Sequence, residues 1–329
     1  MKDDPHMRSN LPNAGKQEWL ADLQSKGDEP GFFEQIGERH YALLTEASPT
    51  LLVTFENIDE IRRDNIKGQP LGFDLIKDNG WSHLGLLSNG NTWFRDQAVY
   101  DYFDRLMDDG FFEDFDHVIF LGADTCGYAA AAYSVVAPGS TVIAFSPQAT
   151  MDPRVTEWDH RFKYCRRTSF TDRYGYAPDM IDGADSMFLF YDPEEEMDAM
   201  HAALFTRPHV TKLRCRYFGR RILQDLIQMD ILQPLITTAG AGEDVAKQFF
   251  GLFRSRHNYP PYLQRLLRHL DDDDRCILSG LLCRHAASRT KMPEFRNRLT
   301  GIETRLQGAG VKLPKRRIPH KTVTFPPIT

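Results

Sequence analysis

The stretch that most constrains the fold is residues 118–130, VIFLGADTCGYAA, where an apolar run ends at Gly122 and a run of small residues soon follows. This pattern predicts a strand that turns sharply into a helix, because small residues allow the two elements to approach closely. Two registers place either Asp124 or Thr125 at the tip of the turn, and the glycine at the strand end favours Asp124. Both are candidate nucleophiles: a carboxylate can act directly, whereas a threonine needs a neighbouring base.

The same alternation of strand and helix continues along much of the chain. Apolar runs predict strands, and segments with helical spacing lie between them. Continuous apolar strands that alternate with helices predict an α/β fold, a mostly parallel sheet with helices on both faces. The predicted strands are 50–58, 83–88, 117–122, 141–148, 186–192 and 209–218, and the helices between them include 98–110, 129–139 and 195–205.

The composition of the chain changes along its length and predicts four parts. After about residue 240 the strand signals stop, and helical patterns with short loops follow at 243–256, 260–270, 273–289 and 293–307. Short loops between helices predict antiparallel neighbours. The predicted parts are a flexible N-terminal arm at 1–30 with a short helix at 16–25, an α/β domain at 31–240, a helical appendage at 241–307 and a basic tail at 308–329.

Charge and composition limit the partners that we expect. The net charge is −6 and the pI about 6.0, which predicts no nucleic-acid partner. No apolar stretch approaches the roughly 20 residues that span a bilayer, and no apolar signal segment begins the chain, so we expect a cytoplasmic protein without a membrane partner. The five cysteines form no C-x-x-C pair, and no H-E-x-x-H occurs. We therefore expect no metal site and no cofactor, and the sequence leaves the oligomeric state open.

The order of elements and the segments VIFLGADTCGYAA, TVIAFSPQ and FLFYDPEEEMDAMHAALF resemble the α/β-hydrolase family over roughly residues 50–235. The resemblance implies a nucleophile at the turn, an acid after a later strand and a histidine after the last strand. It assigns these roles to Asp124 and Asp192, but Gly219-Arg220 stands where Gly-His is expected, and no G-x-S-x-G occurs. His201 is a candidate for a relocated base or a substrate contact, or it forms a helix-surface pair with Asp198.

An arginine-rich segment, residues 158–180, lies where a lid commonly inserts in this family. Arginine side chains suit phosphate, sulfate or carboxylate groups. The alternative is an internal salt-bridge network with nearby aspartates and glutamates. Trp93 and Arg95 are candidates to line the same cleft, or they pack and cap. The candidate substrate-binding residues are Arg161, Arg166, Arg167, Arg173, Trp93 and Arg95, and the acidic partners in the alternative are Asp152, Glu157, Asp159 and Asp172.

These observations predict a hydrolase or transferase that acts on or binds an anionic or glycan-like small molecule, with a non-standard or lost catalytic triad. The alternative from another class is a catalytically silent binding protein, a pseudoenzyme of the same fold. The chain also resembles bacterial proteins labelled phosphoadenosine phosphosulfate reductase, which implies a sulfonucleotide-related enzyme. That family's S-G-G-x-D-S turn and E-C-G-x-H cysteine do not occur here.

Overall fold

The computed structural model describes residues 15–27, 31–65, 68–77, 79–290 and 292–314. The chain forms two compact units, Met1–Phe253 and Arg254–Thr329. No helix among the described residues is long and apolar enough to cross a membrane.

The described part of the first unit forms an eight-stranded sheet in the order β1-β2-β4-β3-β5-β6-β7-β8. Strand β2 runs antiparallel to both of its neighbours, and all other neighbouring pairs are parallel. This arrangement is that of the α/β-hydrolase fold, and it confirms the predicted fold class. The strands are β1 (Gly31–Ile36), β2 (His40–Thr45), β3 (Thr50–Asn57), β4 (Ser82–Ser88), β5 (His117–Ala123), β6 (Thr141–Phe145), β7 (Ser186–Tyr191) and β8 (Val210–Arg214).

The sheet is covered on both faces, because alternate residues of a strand belong to different cores. In β2, Ala42 joins the larger core, whereas Tyr41 and Leu43 join the smaller one. The α-helices of the first unit are α1 (Lys16–Gly27), α2 (Ile58–Asp64), α3 (Leu71–Lys77), α4 (Gln97–Asp108), α5 (Thr125–Tyr133), α6 (Pro153–Thr156), α7 (Ala177–Met180), α8 (Glu196–Leu204), α9 (Ile222–Gln228), α10 (Leu232–Gly240) and α11 (Val245–Leu252).

Helix α5 is the central helix of the larger core. Its four consecutive alanines, 129–132, are fully buried, and small side chains there allow the helix to lie close to β3, β5 and β6. At its C-terminal end the Tyr133 ring stacks on Phe55 and Phe103, and its hydroxyl donates to the Phe94 carbonyl at 2.6 Å. This packing fixes the helix that follows the predicted turn.

The N-terminal segment differs in part from the loose arm expected at 1–30. Residues 16–27 form α1, in which Trp19 and Leu23 are fully buried in the smaller core. The Trp19 indole donates a hydrogen bond to the Gly68 carbonyl at 2.6 Å. This part of the segment is therefore anchored to the sheet, and residues 1–14 and 28–30 lie outside the described part.

The boundary between the two units lies later than the residue 240 expected from the sequence. Helix α11 belongs to the first unit, where the Phe249 ring meets Phe190 of β7 edge-on and stacks on Phe253. The second unit contains α12 (Pro260–Asp272), α13 (Cys276–Arg289) and α14 (Pro293–Gly308). Residues 315–329, most of the predicted basic tail, lie outside the described residues.

Candidate functional site

Asp124 lies at the tip of the turn between β5 and α5. Its backbone has φ 51° and ψ −122°, a conformation that non-glycine residues rarely adopt. The turn is held by its N–H, which donates to the Phe145 carbonyl at 2.8 Å, and by its carbonyl, which accepts from the Tyr128 N–H at 3.0 Å. Backbone strain of this kind costs about 1–3 kcal/mol and is typical of functional sites.

The glycines around the turn explain its register. A Cβ atom at Gly122 would lie 2.2 Å from the Cys126 carbonyl oxygen, so no larger residue fits without moving the backbone. A Cβ at Gly127 would lie 3.2 Å from two backbone oxygens. The structure thus places Asp124 at the tip and Thr125 as the first residue of α5. We call Gly122–Cys126 the elbow.

The Asp124 carboxyl group is partly enclosed. Its Oδ1 is buried and has no hydrogen-bond partner among the described residues, although the side chain as a whole keeps 32% of its surface exposed. The Arg220 guanidinium lies beside it, with Nη2 3.9 Å from Oδ1. Desolvation raises the pKa of Asp124 to about 7, and the Arg220 charge opposes that rise. The carboxyl is therefore close to half protonated near neutral pH.

Asp192 directly follows β7 and reaches the loop after β8. The residue is 1% exposed, and its carboxylate accepts hydrogen bonds from the Glu194 N–H at 3.0 Å and the Gly219 N–H at 2.6 Å. Gly219 precedes Arg220 in that loop. Asp192 therefore holds the backbone beside the place where the family resemblance implies a histidine, and Arg220 stands in that place.

Two glutamates lie within electrostatic range of Arg220. Burial raises the pKa of Glu60, which lies in α2, and that of Glu195, which precedes α8, and the Arg220 charge opposes both shifts. Neither was a candidate from the sequence, because the short helix α2 was not predicted and Glu195 fell within the helix predicted at 195–205. Their positions just beyond the ends of β3 and β7 are the signal that could have found them.

His201 is fully buried in α8, and both of its ring nitrogens are engaged. Nδ1 accepts from the Ala149 N–H at 3.1 Å, so Nε2 carries the proton and donates to Asp159 at 3.0 Å. Burial lowers the pKa of His201. Both ring nitrogens of His201 are thus engaged within the protein, and its role as a base or a substrate contact stays a prediction.

Arg161 belongs to the same buried network. Its guanidinium lies 2.7 Å from Asp159 and 2.5 Å from Asp198, and both carboxylates are fully buried. Burial opposes the low pKa of Asp159, but the His201 and Arg161 hydrogen bonds hold that pKa well below its usual range. The network joins the start of the arginine-rich segment to α8, which is the salt-bridge alternative for this residue.

Three other candidate side chains, those of Trp93, Arg95 and Arg173, also make contacts within the protein. Arg95 is 1% exposed at its side chain and bonds Asp172, the Arg173 carbonyl and the Ser169 carbonyl, the last at 3.0 Å. Trp93 is buried edge-on against three aromatic rings. The Arg173 guanidinium pairs with Asp104 of α4. All three side chains are thus held by contacts within the protein, and their role as substrate contacts stays a prediction.

Two further arginines of the segment, Arg166 and Arg167, are candidates for substrate binding from the sequence. Arg167 is exposed, and the side chain of Arg166 lies outside the described part of the structure. A role for either in ligand binding stays a prediction.

A cavity of about 500 Å³ lies away from the elbow. It opens between β1, β2 and α4, and no site residue predicted from the sequence lines it. A cleft at the elbow itself stays a prediction. Groups of three or more His, Cys, Asp or Glu side chains that could hold a metal ion are absent from the described residues.

Comparisons with known proteins give structural likeness only. No protein-family model matches the chain, and no curated protein sequence matches it. Among solved structures, the capsule O-acetyltransferase of Neisseria meningitidis serogroup A is 10% identical with a TM-score of 0.41, over 61% of this chain and 93% of that chain. An esterase from Pyrobaculum calidifontis is 12% identical with a TM-score of 0.42, over 73% and 99%. Est1E from Butyrivibrio proteoclasticus is 12% identical with a TM-score of 0.40, over 64% and 98%. At these scores the likeness carries no weight, and the fold assignment rests on the strand order.

Proposed function

We propose that this chain is an α/β-hydrolase-like protein that binds an anionic or glycan-like small molecule at the elbow and does not hydrolyse esters through a triad. The single observation that carries the proposal is Arg220, which stands in the place of the family histidine, 3.9 Å from Asp124. A guanidinium stays protonated at any ordinary pH and cannot accept a proton from a nucleophile or from water.

Asp192, the acid of the implied triad, also makes contacts that differ from those in a working triad. In a working triad the acid orients the imidazole of the histidine. Here the Asp192 carboxylate accepts from the Gly219 backbone N–H and so fixes the loop that carries Arg220. The arrangement supports a role for Asp192 in positioning Arg220 rather than in proton transfer.

The groups around Arg220 suit ligand binding. The Arg220 side chain is 46% exposed and can donate two parallel hydrogen bonds to a carboxylate, phosphate or sulfate group. The carboxyl groups of Glu60 and Glu195 can accept hydrogen bonds from hydroxyl groups. A ligand with both hydroxyl groups and an anionic group would use both sets.

Isothermal titration tests this binding. The ligands are sulfate, phosphate, adenosine 3′,5′-bisphosphate, glucuronate and neutral glucose, titrated into wild type and Arg220→Gln. We expect the substitution to weaken binding of at least one anion at least tenfold. The matched control is Arg216→Gln, because Arg216 is exposed in the same loop and pairs with Glu194 at 2.6 Å. Wild type that binds none of the five, or equal losses in both variants, would contradict the proposal.

A second candidate function is catalysis with Asp124 as the nucleophile, and the backbone strain at Asp124 favours it. The carboxylate would attack an electrophilic carbon and displace a leaving group, and water would then hydrolyse the resulting ester. Glu60 or Glu195 would be the base that activates this water. Turnover that is lost in Asp124→Asn and in one of Glu60→Gln and Glu195→Gln would support this candidate.

A further inference from the structure

The two units of the chain carry opposite charge. Residues 254–329 contain 16 Lys and Arg against 6 Asp and Glu, a net charge of +10, which leaves −16 for residues 1–253. The overall charge of −6 that predicted no nucleic-acid partner is therefore the sum of two large, opposite charges. Segregation of this size indicates that the second unit has its own electrostatic role.

Contacts between the helices of the second unit show the direction in which each helix runs. Gln264 of α12 donates to Glu294 at the start of α14, and Arg298 and Arg305 further along α14 meet Asp271 and Asp274 at the end of α12. Helices α12 and α14 therefore run parallel. Helix α13 runs antiparallel to them, because its C-terminal His285 and Arg289 contact the segment before α12.

The acidic residues of this unit are concentrated at one end. Asp271 lies in the last turn of α12, and Asp273 and Asp274 follow that helix, each within 4 Å of a basic side chain. The surrounding positive charge is thus largely neutralised there by the unit's own carboxylates. The basic partners at this acidic end are His269, Arg275, Arg298 and Arg305.

The opposite end, which we call the basic end, collects positive charge. The pKa of His257 is lowered first by burial and then by the charges of Arg256, His285 and Arg289, so these three groups lie within electrostatic range of His257. His257 and Arg289 are exposed, as is the neighbouring Arg254. His285 donates to the His257 backbone carbonyl at 3.0 Å and Arg289 donates to the Asn258 amide oxygen at 3.2 Å, and both acceptors are neutral.

The orientation of the helices adds to the positive electrostatic potential at the basic end. The N-termini of α12, with 13 residues, and α14, with 16 residues, both lie at the basic end. Helix N-termini carry partial positive charge and so add to the positive potential at this end. Glu294 is the acidic residue of the first turn of α14, and it accepts a hydrogen bond from Gln264.

We propose that the basic end of the second unit binds the phosphate backbone of nucleic acid. The arginines named at the basic end, Arg254, Arg256 and Arg289, carry planar guanidinium forks that match phosphate oxygens better than a lysine ammonium does. An anionic membrane is the less favourable partner, because the exposed apolar residues Ile277 and Leu278 lie at the start of α13, at the acidic end. An interfacial helix would need apolar and basic groups on the same surface.

Fluorescence anisotropy on the full chain tests this proposal. The probe is a fluorescein-labelled single-stranded 20-nucleotide RNA in 50 mM salt, with a single-stranded DNA of the same sequence in parallel. The test variant is Arg254→Gln with Arg289→Gln. The matched control is Arg275→Gln with Arg305→Gln, which removes the same charge at the acidic end, and circular dichroism verifies that both variants fold.

We expect the basic-end variant to bind at least tenfold more weakly than wild type, and the control to change less than threefold. The slope of log K against log salt should fall by about 1.4 in the basic-end variant, because each lost phosphate contact on a single strand removes about 0.7. Three results would overturn the proposal: no wild-type binding in 50 mM salt, equal losses in both variants, or binding to phosphatidylserine vesicles with none to either oligonucleotide.

Discussion

At the scale of single residues, Asp124 has both a strained backbone and a partly enclosed carboxyl group. The strain depends on the absence of a side chain at Gly122, because a Cβ there would lie 2.2 Å from the Cys126 carbonyl oxygen. The properties of the carboxyl group depend on the burial of its Oδ1. The two properties predict different experimental effects.

Gly122→Ala is expected to lower the free energy of unfolding by about 1–3 kcal/mol, because the added methyl group must displace backbone of the elbow. Urea denaturation measures the change. The control is Gly251→Ala in α11, where a Cβ meets nothing within 4 Å and the better helix propensity should stabilise by up to about 1 kcal/mol. Equal stability of Gly122→Ala and wild type would show that the turn is less tight than described.

The Asp124 carboxyl group should give the protein a distinctive pH dependence. Its pKa rises from 3.8 to about 7 on folding, so between those values the folded chain holds a proton that the unfolded chain releases. The free energy of unfolding contributed by this group is therefore greatest below pH 4 and falls as the pH rises towards 7. We expect urea denaturation of wild type and Asp124→Asn at several pH values to show this fall as a difference between them. A difference that is constant or rises with pH would contradict the shift.

At the scale of elements, Arg95 joins the loop after β4 to the segment between β6 and β7. Its buried guanidinium donates to the Ser169 carbonyl and the Tyr128 hydroxyl, and it pairs with Asp172. We expect Arg95→Met to lower the free energy of unfolding by about 3 kcal/mol, because these acceptors lose their donor. The exposed Arg167→Met should stay within about 0.5 kcal/mol of wild type. Unchanged stability of Arg95→Met together with weaker ligand binding would support the substrate contact predicted from the sequence.

Sequence patterns predicted the buried parallel strands well and the less regular elements poorly. Strand β3 was expected at 50–58 and lies at Thr50–Asn57, since a long β-branched and aromatic run is a strong signal. Strands β1 and β2 were not assigned, because the hairpin GFFEQIGERHYALLT mixes apolar with charged residues and depends on pairing within the sheet. The segment RRILQDLIQMDILQPLI, residues 220–236, predicts one helix, but the structure breaks it into α9 and α10 near Asp230, which adopts φ 55° without a glycine to signal the stop.

Part of the candidate site could likewise be predicted from the sequence, and part could not. The position of the elbow followed from local glycine spacing, which sequence displays directly. The engagement of His201 with Ala149 and Asp159 joins α8 to segments about 40 and 50 residues earlier in the chain. Such contacts exist only after folding, so the spacing of residues along one helix could not reveal them.

At the scale of the whole molecule, a hydrolase-like sheet presents an elbow whose histidine position holds an arginine. The strand order brings Asp124 after β5, Asp192 after β7 and Arg220 after β8, the places that the family resemblance implies for three catalytic groups. On the proposed function, the nucleophile and acid positions of a triad are kept while the proton acceptor is replaced. The central claim is that this exchange removes ester hydrolysis.

Hydrolysis of p-nitrophenyl acetate by wild type, Asp124→Asn and His201→Ala tests that claim most directly. The account predicts that wild type is indistinguishable from Asp124→Asn, with at most the residual acceleration of about 10³–10⁴ over water that remains when a triad member is lost. His201→Ala should lose stability without a specific effect on the rate. Rapid wild-type turnover that Asp124→Asn abolishes would contradict the account and establish Asp124 as a working nucleophile.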